Sequence, residues 1–162
     1  MSIDPLREFV CAMTRLVESR GHTEAEAMEP ARDLLTALVR RDDWLPEAFA
    51  EADPTRYRQY LLYGDPLDRF SLVSFVWGPG QKTPVHDHLV WGLIGMLRGE
   101  EVAVPYAVGD YRLLAGEAAH LKPGMVDAVS PSIGDIHTVA NAIADRPSIS
   151  IHLYGGNIGR IR

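Results

Sequence analysis

The stretch TPVHDHLVWG, residues 83–92, puts His86 and His88 on either side of Asp87. On a β-strand, residues i and i+2 point to the same face. Both imidazoles can then look at one point inside a barrel, while Asp87 faces the other way. Imidazole suits iron, zinc, copper and nickel, and two of them on one strand leave open coordination positions. Alone, H-x-H is also what an incidental pair of strand histidines looks like. A second stretch, PSIGDIHTVAN (131–141), adds His137, preceded by Pro131 and Gly134 and followed by Asn141. Gly80 stands six residues before His86, and Gly99 closes the segment after the first stretch. His86, His88 and His137 are the candidate metal ligands.

Around these two stretches the chain reads as strands. From about residue 54 short apolar runs alternate with Gly and Pro breakers. Strands are expected at 57–63, 70–77, 86–98, 102–106, 118–121, 128–130, 137–141 and 148–154. Many short strands at even spacing argue for a closed barrel or double-sheet roll. Before residue 54 the periodicity is helical. Asp4-Pro5 reads as an N-cap and first-turn pair, and Leu6, Phe9, Val10, Met13, Leu16 and Val17 follow at helical spacing. Thr23 to Glu26 has the form of a capping box, with Ala27, Ala31, Leu34, Leu35 and Leu38 on one side of the helix it opens. A third, shorter helical piece is expected at about 46–52. The 162 residues suffice for one domain with a real core and not comfortably for two. The expected organisation is a single domain over 1–162, with a helical segment (1–53) before a β-barrel (54–162).

Composition narrows the function. A net charge of −6 argues against nucleic acid as a partner, which calls for clustered Lys and Arg. No apolar run is long enough to span a bilayer, and the N-terminus lacks the basic-then-apolar pattern of a signal peptide. No membrane partner is expected, and a cytoplasmic location is. The single Cys11 rules out an internal disulfide framework and a Cys-rich metal site. Among Phe9, Val10 and Met13, it reads as a small buried hydrophobe. Of the remaining histidines, His22 falls in the interhelix turn and reads as solvated, and His120 reads as structural or surface. Trp77 and Trp91 read as core packing before pocket walls. No Walker loop or dinucleotide fingerprint is present.

The two histidine stretches resemble the paired sequence motifs of the cupin superfamily. The first, G-x5-H-x-H-x3,4-E-x6-G, is met at Gly80, His86, His88 and Gly99. The second, G-x5-P-x-G-x2-H-x3-N, is met at Gly134, His137 and Asn141, and at Pro131 with one extra residue in each of its first two gaps. The resemblance implies a mainly β fold: a cupin double-stranded β-helix barrel, here preceded by two to three N-terminal α-helices. The usual motif glutamate falls at Gly92, so the implied site is three neutral imidazoles.

A three-histidine ferrous site resembles the thiol dioxygenases of the cysteine dioxygenase family, from about residue 57 to residue 160. SISIHLYGGNIG (148–159) places Ser150, His152 and Tyr154 at alternate positions of one strand, where all three can share the inward face. Three polar groups there are costly unless they bond one another. In the family a Ser-His-Tyr relay approaches the iron. Animal-type members carry a Cys where Gly92 stands, and an Arg in a Y-x-R context where YRQYLLY (57–63) has Gln59. Glutamine at that place resembles the bacterial 3-mercaptopropionate dioxygenases. Those enzymes have an Arg shortly after YGGNIG, for which Arg160 and Arg162 are the candidates here. The substrate-binding set is therefore Gln59, Arg160 and Arg162.

The resemblance implies a non-haem Fe(II) thiol dioxygenase with a small thiol and O2 as partners. Both oxygen atoms would go to the sulfur of a thiol carboxylate, 3-mercaptopropionate before cysteine, to give a sulfinate. A cysteine dioxygenase is one alternative and a non-catalytic metal-binding cupin another; the Ser150-His152-Tyr154 alternation weighs against the second. Homo-oligomerisation stays open.

Overall fold

SISIHLY forms a strand buried along its whole length, because its two faces meet different neighbours. In the computed structural model, which describes residues 2–161, Ile149, Ile151 and Leu153 belong to a core shared with the N-terminal helices. Tyr154, from the alternate set, packs with Val73, Phe75, Trp77 and Val139 in a second core. The strand therefore separates a helix layer from a barrel interior.

The helices are α1 (Asp4–Arg20) and α2 (Glu24–Val39), followed by a single 3-10 turn at Glu47–Phe49. Nine strands follow: β1 (Arg58–Gly64), β2 (Ser71–Trp77), β3 (Gly92–Arg98), β4 (Glu101–Val108), β5 (Leu113–Ala115), β6 (Ala119–Leu121), β7 (Val126–Val129), β8 (His137–Asn141) and β9 (Ser148–Tyr154), and then a short helix α3 (Ile158–Ile161). One sheet has the order β1-β2-β9-β3-β7; the other has β5-β4-β6, with β8 also on β4. Every strand pairing is antiparallel. The molecule is the mainly β roll expected, with helices on the outer face of the larger sheet.

Local chemistry explains the frame. The capping box forms: the Thr23 N–H donates to Glu26 Oε2 at 3.1 Å. α2 lies close on β3, where a Cβ on Gly95 would stand 2.8 Å from Val39 Cγ1. Gly99 turns β3 into β4 with φ 75°, and a Cβ there would meet Ser148 Oγ at 2.2 Å. Asn141 closes the end of the roll. Its amide donates to the carbonyls of Trp77, Gly78 and Arg146, and its oxygen accepts from Ile143 N–H and Ser148 Oγ.

Several expectations need correction. The strand expected over 86–98 begins only at Gly92; His86 makes an isolated bridge to His137, and 87–91 are irregular. Two things break the strand: Pro84 offers no N–H, and His88 N–H is taken by the Asp135 carboxylate, 47 residues on, at 2.9 Å. The helical piece at 46–52 is one 3-10 turn. Asp4 lies inside the first turn of α1, with Ile3 as its N-cap. β5 and α3 were not anticipated. Cys11 is exposed, not buried, because α1 buries the Phe9-Met13-Val17 stripe. Two residues at 100° each carry Cys11 past Phe9 to the far side. Trp77 and Trp91 are core residues as expected.

Candidate metal centre

β8 and the irregular segment before β3 bring three imidazoles together. His86 and His137 exchange backbone hydrogen bonds of 3.1 and 2.9 Å, which sets their side chains next to each other. The ring centroids of His86, His88 and His137 form a nearly equilateral triangle of 5.0, 4.7 and 5.0 Å. One nitrogen from each lies within 4.8 Å of the others. Asp87 is exposed and is no part of this cluster.

Hydrogen bonds to carbonyls fix which nitrogens are available. His86 Nδ1 is 3.0 Å from Pro84 O, and His88 Nδ1 is 3.0 Å from Asp135 O. A carbonyl only accepts, so each Nδ1 carries the proton and each Nε2 presents a lone pair. His86 Nε2 and His137 Nε2 are 3.2 Å apart. Two nitrogens bound to one metal at roughly 2.1 Å stand about 3.0 Å apart at a right angle and about 3.4 Å at the tetrahedral angle. The observed spacing falls between those values. Burial first, and then the charges of His86 and His88, push the His137 pKa down to about 3, so this ligand is neutral at ordinary pH. Three neutral nitrogens without a carboxylate suit a divalent transition metal that keeps open positions.

A hydrogen-bonded chain runs beside the cluster. Tyr154 OH is 3.0 Å from His152 Nδ1, and His152 Nε2 is 2.9 Å from Ser150 Oγ. All three residues are buried. His152 stacks on Phe75 with centroids 3.9 Å apart, and burial holds its pKa well below the usual histidine range, with the other three histidines adding to the effect. It is a neutral imidazole bonded on both sides. The Tyr154 ring stacks on His88 at 6.2 Å. Gly92 makes room for that ring: a Cβ at Gly92 would meet it at 3.1 Å.

His86, His88 and Tyr154 open on a cavity of about 280 Å³, walled also by Tyr57, Gln59, Phe75, Thr83 and Ile158. Gln59 therefore reaches the site. Arg58 points away and pairs with Asp53 at 2.9 Å. Arg160 does not line the cavity: its side chain is 75% exposed and its guanidinium pairs with Asp68. Arg162 lies outside the described residues. His120 is on the surface, 2.6 Å from Glu100, and His22 is exposed.

Sequence reasoning missed four contributors. Tyr57 and Phe75 were hidden in runs that look like ordinary strand core. Ile158, on α3, had no helical periodicity to announce it. Glu101 is the largest omission: it is 2% exposed, and its carboxyl group lies against Ser150 and Trp77. The available signal was its inward register at the start of β4, opposite Asn141 and Leu121. After Gly99 and Glu100 it reads as a solvated turn.

A protein family described as cysteine dioxygenase type I matches residues 23–162, which leaves α1 outside the match. Cysteine dioxygenase type 1 of Danio rerio is 27% identical over 117 residues, 69% of this chain and 56% of that protein. The chain thus spans little more than half the length of this curated relative. A cupin superfamily protein from Desulfitobacterium hafniense superposes with a TM-score of 0.50 at 18% identity, over 72% of this chain and 94% of that one. A cupin 2 conserved barrel domain protein from Salinispora arenicola gives 0.50 at 19% identity, over 72% and 88%. At these identities the two structures share the fold.

Proposed function

The chain belongs to the cysteine dioxygenase type I family, and on that footing we propose that it is an Fe(II) thiol dioxygenase acting on 3-mercaptopropionate. The observation that carries the reading is the three-imidazole cluster, with His86 and His88 in the wall of one cavity, together with the Tyr154-His152-Ser150 chain. His86, His88 and His137 would hold the iron. Bound iron supplies a cationic centre, uncompensated by any carboxylate ligand, that favours a thiolate over a thiol and brings it together with O2. The balance is RSH + O2 → RSO2H. Both oxygen atoms end on sulfur, the thiol supplies all the electrons, and no co-reductant is needed.

The chain's own groups handle position and protons. Phe75, Ile158 and the ring of Tyr57 give the cavity apolar walls that limit water around the reacting sulfur. The Tyr154 hydroxyl stands at the cavity wall, backed by a neutral His152, and is the group placed to give or hold a hydrogen bond to the oxygen being transferred. Gln59 can donate one hydrogen bond to a carboxylate and accept another. It lacks the charged fork of an Arg, and no Arg or Lys is among the described residues that line the cavity. Such a wall gives no matched partner to the amino group of cysteine, whose desolvation would then cost about 1–3 kcal/mol, or one to two decades in specificity.

Oxygen uptake and sulfinate formation by the iron-loaded protein with a panel of thiols test the reading. The expected result is a higher kcat/KM for 3-mercaptopropionate than for L-cysteine, and loss of both iron and turnover in His86→Ala. A second reading, cysteine as substrate, is favoured by the identity of the Danio rerio relative; equal rates or a preference for cysteine would establish it in place of the first. No turnover of any thiol by the fully loaded protein would remove the dioxygenase assignment.

A further inference from the structure

The Tyr154-His152-Ser150 chain does not end at the serine. Ser150 Oγ also receives Trp77 Nε1–H at 3.2 Å, and the Glu101 carboxyl group lies against it. Glu101 is buried, and among the described residues its Oε1 has no hydrogen-bond partner. A buried carboxyl group with an unmatched oxygen is costly to keep. Glu101 also lines a second cavity, of about 180 Å³, whose walls include Ile94, His120, Asp127 and Val139 and none of the residues lining the metal cavity.

We propose that Glu101 is a positioning residue whose protonation state sets the polarity of the whole Glu101–Ser150–His152–Tyr154 chain, and thereby the direction in which the Tyr154 hydroxyl proton points.

Donor counting requires this. A serine hydroxyl donates once and accepts twice, and an indole N–H only donates. The Trp77 N–H points at Ser150 Oγ and occupies one of its acceptor positions. When Glu101 is a carboxylate it can only accept, so Ser150 donates to it. The remaining Ser150 lone pair takes His152 Nε2–H, His152 Nδ1 is bare, and Tyr154 donates to His152. When Glu101 is a carboxylic acid that donates to Ser150, the hydroxyl of Ser150 turns to His152 Nε2. The imidazole proton then sits on Nδ1 and points at the tyrosine oxygen, and Tyr154 turns its own proton toward the cavity. Between the two states one proton is gained, at Glu101; Ser150, His152 and Tyr154 each keep the number they had.

The carboxyl group is poised for this change. Burial raises its pKa to about 7, against the opposing bonds from Ser150 and Trp77. The ionisable groups near it are few. β9 brings His152, held neutral by burial; β6 brings His120, paired with Glu100 from the preceding turn; and Asp127 comes from β7. β2, β3 and β8 present Trp77, Ile94, and Val139 with Asn141, none of them charged. The second cavity gives the proton a way to Glu101 that does not cross the thiol site.

The nitrogen-15 shifts of His152 Nδ1 and Nε2 report its tautomer directly. They would be followed through neutral pH in the full chain loaded with zinc, a diamagnetic stand-in for iron. The expected result is a single-step change from the Nδ1–H to the Nε2–H form as pH rises, and one pH-independent tautomer in Glu101→Gln. An unchanging tautomer in the wild-type protein, or the same step persisting in Glu101→Gln, would overturn the proposal. The wild-type titration decides it even if the variant fails to fold. This readout needs no turnover, so it stands or falls apart from the thiol dioxygenase reading, on which only the link to activity rests. In iron-loaded enzyme, Glu101→Gln is expected to remove the neutral-pH step in the kcat profile and to lower kcat by about 10²-fold, the low end of acid–base contributions. KM for the thiol should not change, because Glu101 does not line the thiol cavity. A purely structural role would leave the pH profile in place.

Discussion

At the scale of single residues, Glu101 couples folding to pH. Its folded pKa, raised to about 7 from 4.5, means that the folded state binds a proton more tightly than the unfolded one. Its favourable contribution is fully present below about pH 4.5 and is lost as pH rises to about 7. That gap corresponds to about 3 kcal/mol at most. Glu101→Gln keeps the shape and removes the titration. The unfolding free energy of the variant, measured by urea at several pH values, should lack this decline, so the variant should gain on the wild type as pH rises. Parallel stability curves for the two proteins would mean that Glu101 is not the titrating group. Gly92 belongs to the same scale: the Tyr154 ring lies against its backbone, and a Cβ there would meet the ring at 3.1 Å.

At the scale of elements, the helix layer and β3 depend on a missing side chain. Leu35 and Val39 of α2 sit over Gly95, with a would-be Cβ at 3.1 Å from Leu35 Cγ and 2.8 Å from Val39 Cγ1. Gly95→Val should push α2 off the sheet and destabilise the fold by about 1–3 kcal/mol, as overpacking does. The urea midpoint should fall with the slope unchanged. Iron content per folded molecule should hold, because Gly95 faces the helices and the ligands lie elsewhere. α3 shows a different control. It is a single turn, secured to the β1–β2 connection by Asn157 Nδ2 on Asp68 Oδ1 at 2.7 Å and by Arg160 on Asp68. That clasp explains why Arg160 is at the rim of the fold instead of the cavity, and why Ile158 covers the cavity.

At the scale of the whole molecule, the candidate metal ligands join distant parts of the chain. His86 and His88 precede β3 and His137 opens β8, so a bound ion ties the two sheets together. A ligand that binds only the folded state stabilises it by RT ln(1 + [L]/Kd), about 2.7 kcal/mol at a hundredfold excess over Kd. For a chain of this size that is roughly 5–10 °C in Tm. Ferrous iron added anaerobically should raise Tm by this amount in the wild-type protein and leave His137→Ala unmoved. An equal shift in both proteins would place the ion elsewhere. Among the described residues no helix is long and apolar enough to cross a membrane.

By itself the sequence determined what depends on local periodicity and on residue type. Two helices, the change to strands near residue 54, and the inward set Ser150-His152-Tyr154 follow from spacings of 3.6 and 2, because those periods are properties of the backbone. The histidine cluster was legible because H-x-H followed by a later motif histidine is a donor set whose chemistry is metal binding. What the sequence left unsettled was decided by contacts between residues far apart in the chain. His86 and His88 converge without the regular strand expected of them, since Asp135, 47 residues on, takes the His88 N–H. Cys11 is exposed because the packed stripe of α1 is the Phe9-Met13-Val17 face. Glu101 comes to lie against Ser150 and Trp77 because the sheet that holds β4 packs on the one that holds β2 and β9, and an acidic residue after a turn looks the same in sequence whether water or a buried serine stands beside it. Partner identity across a barrel is set by register and sheet packing, and no local period encodes that.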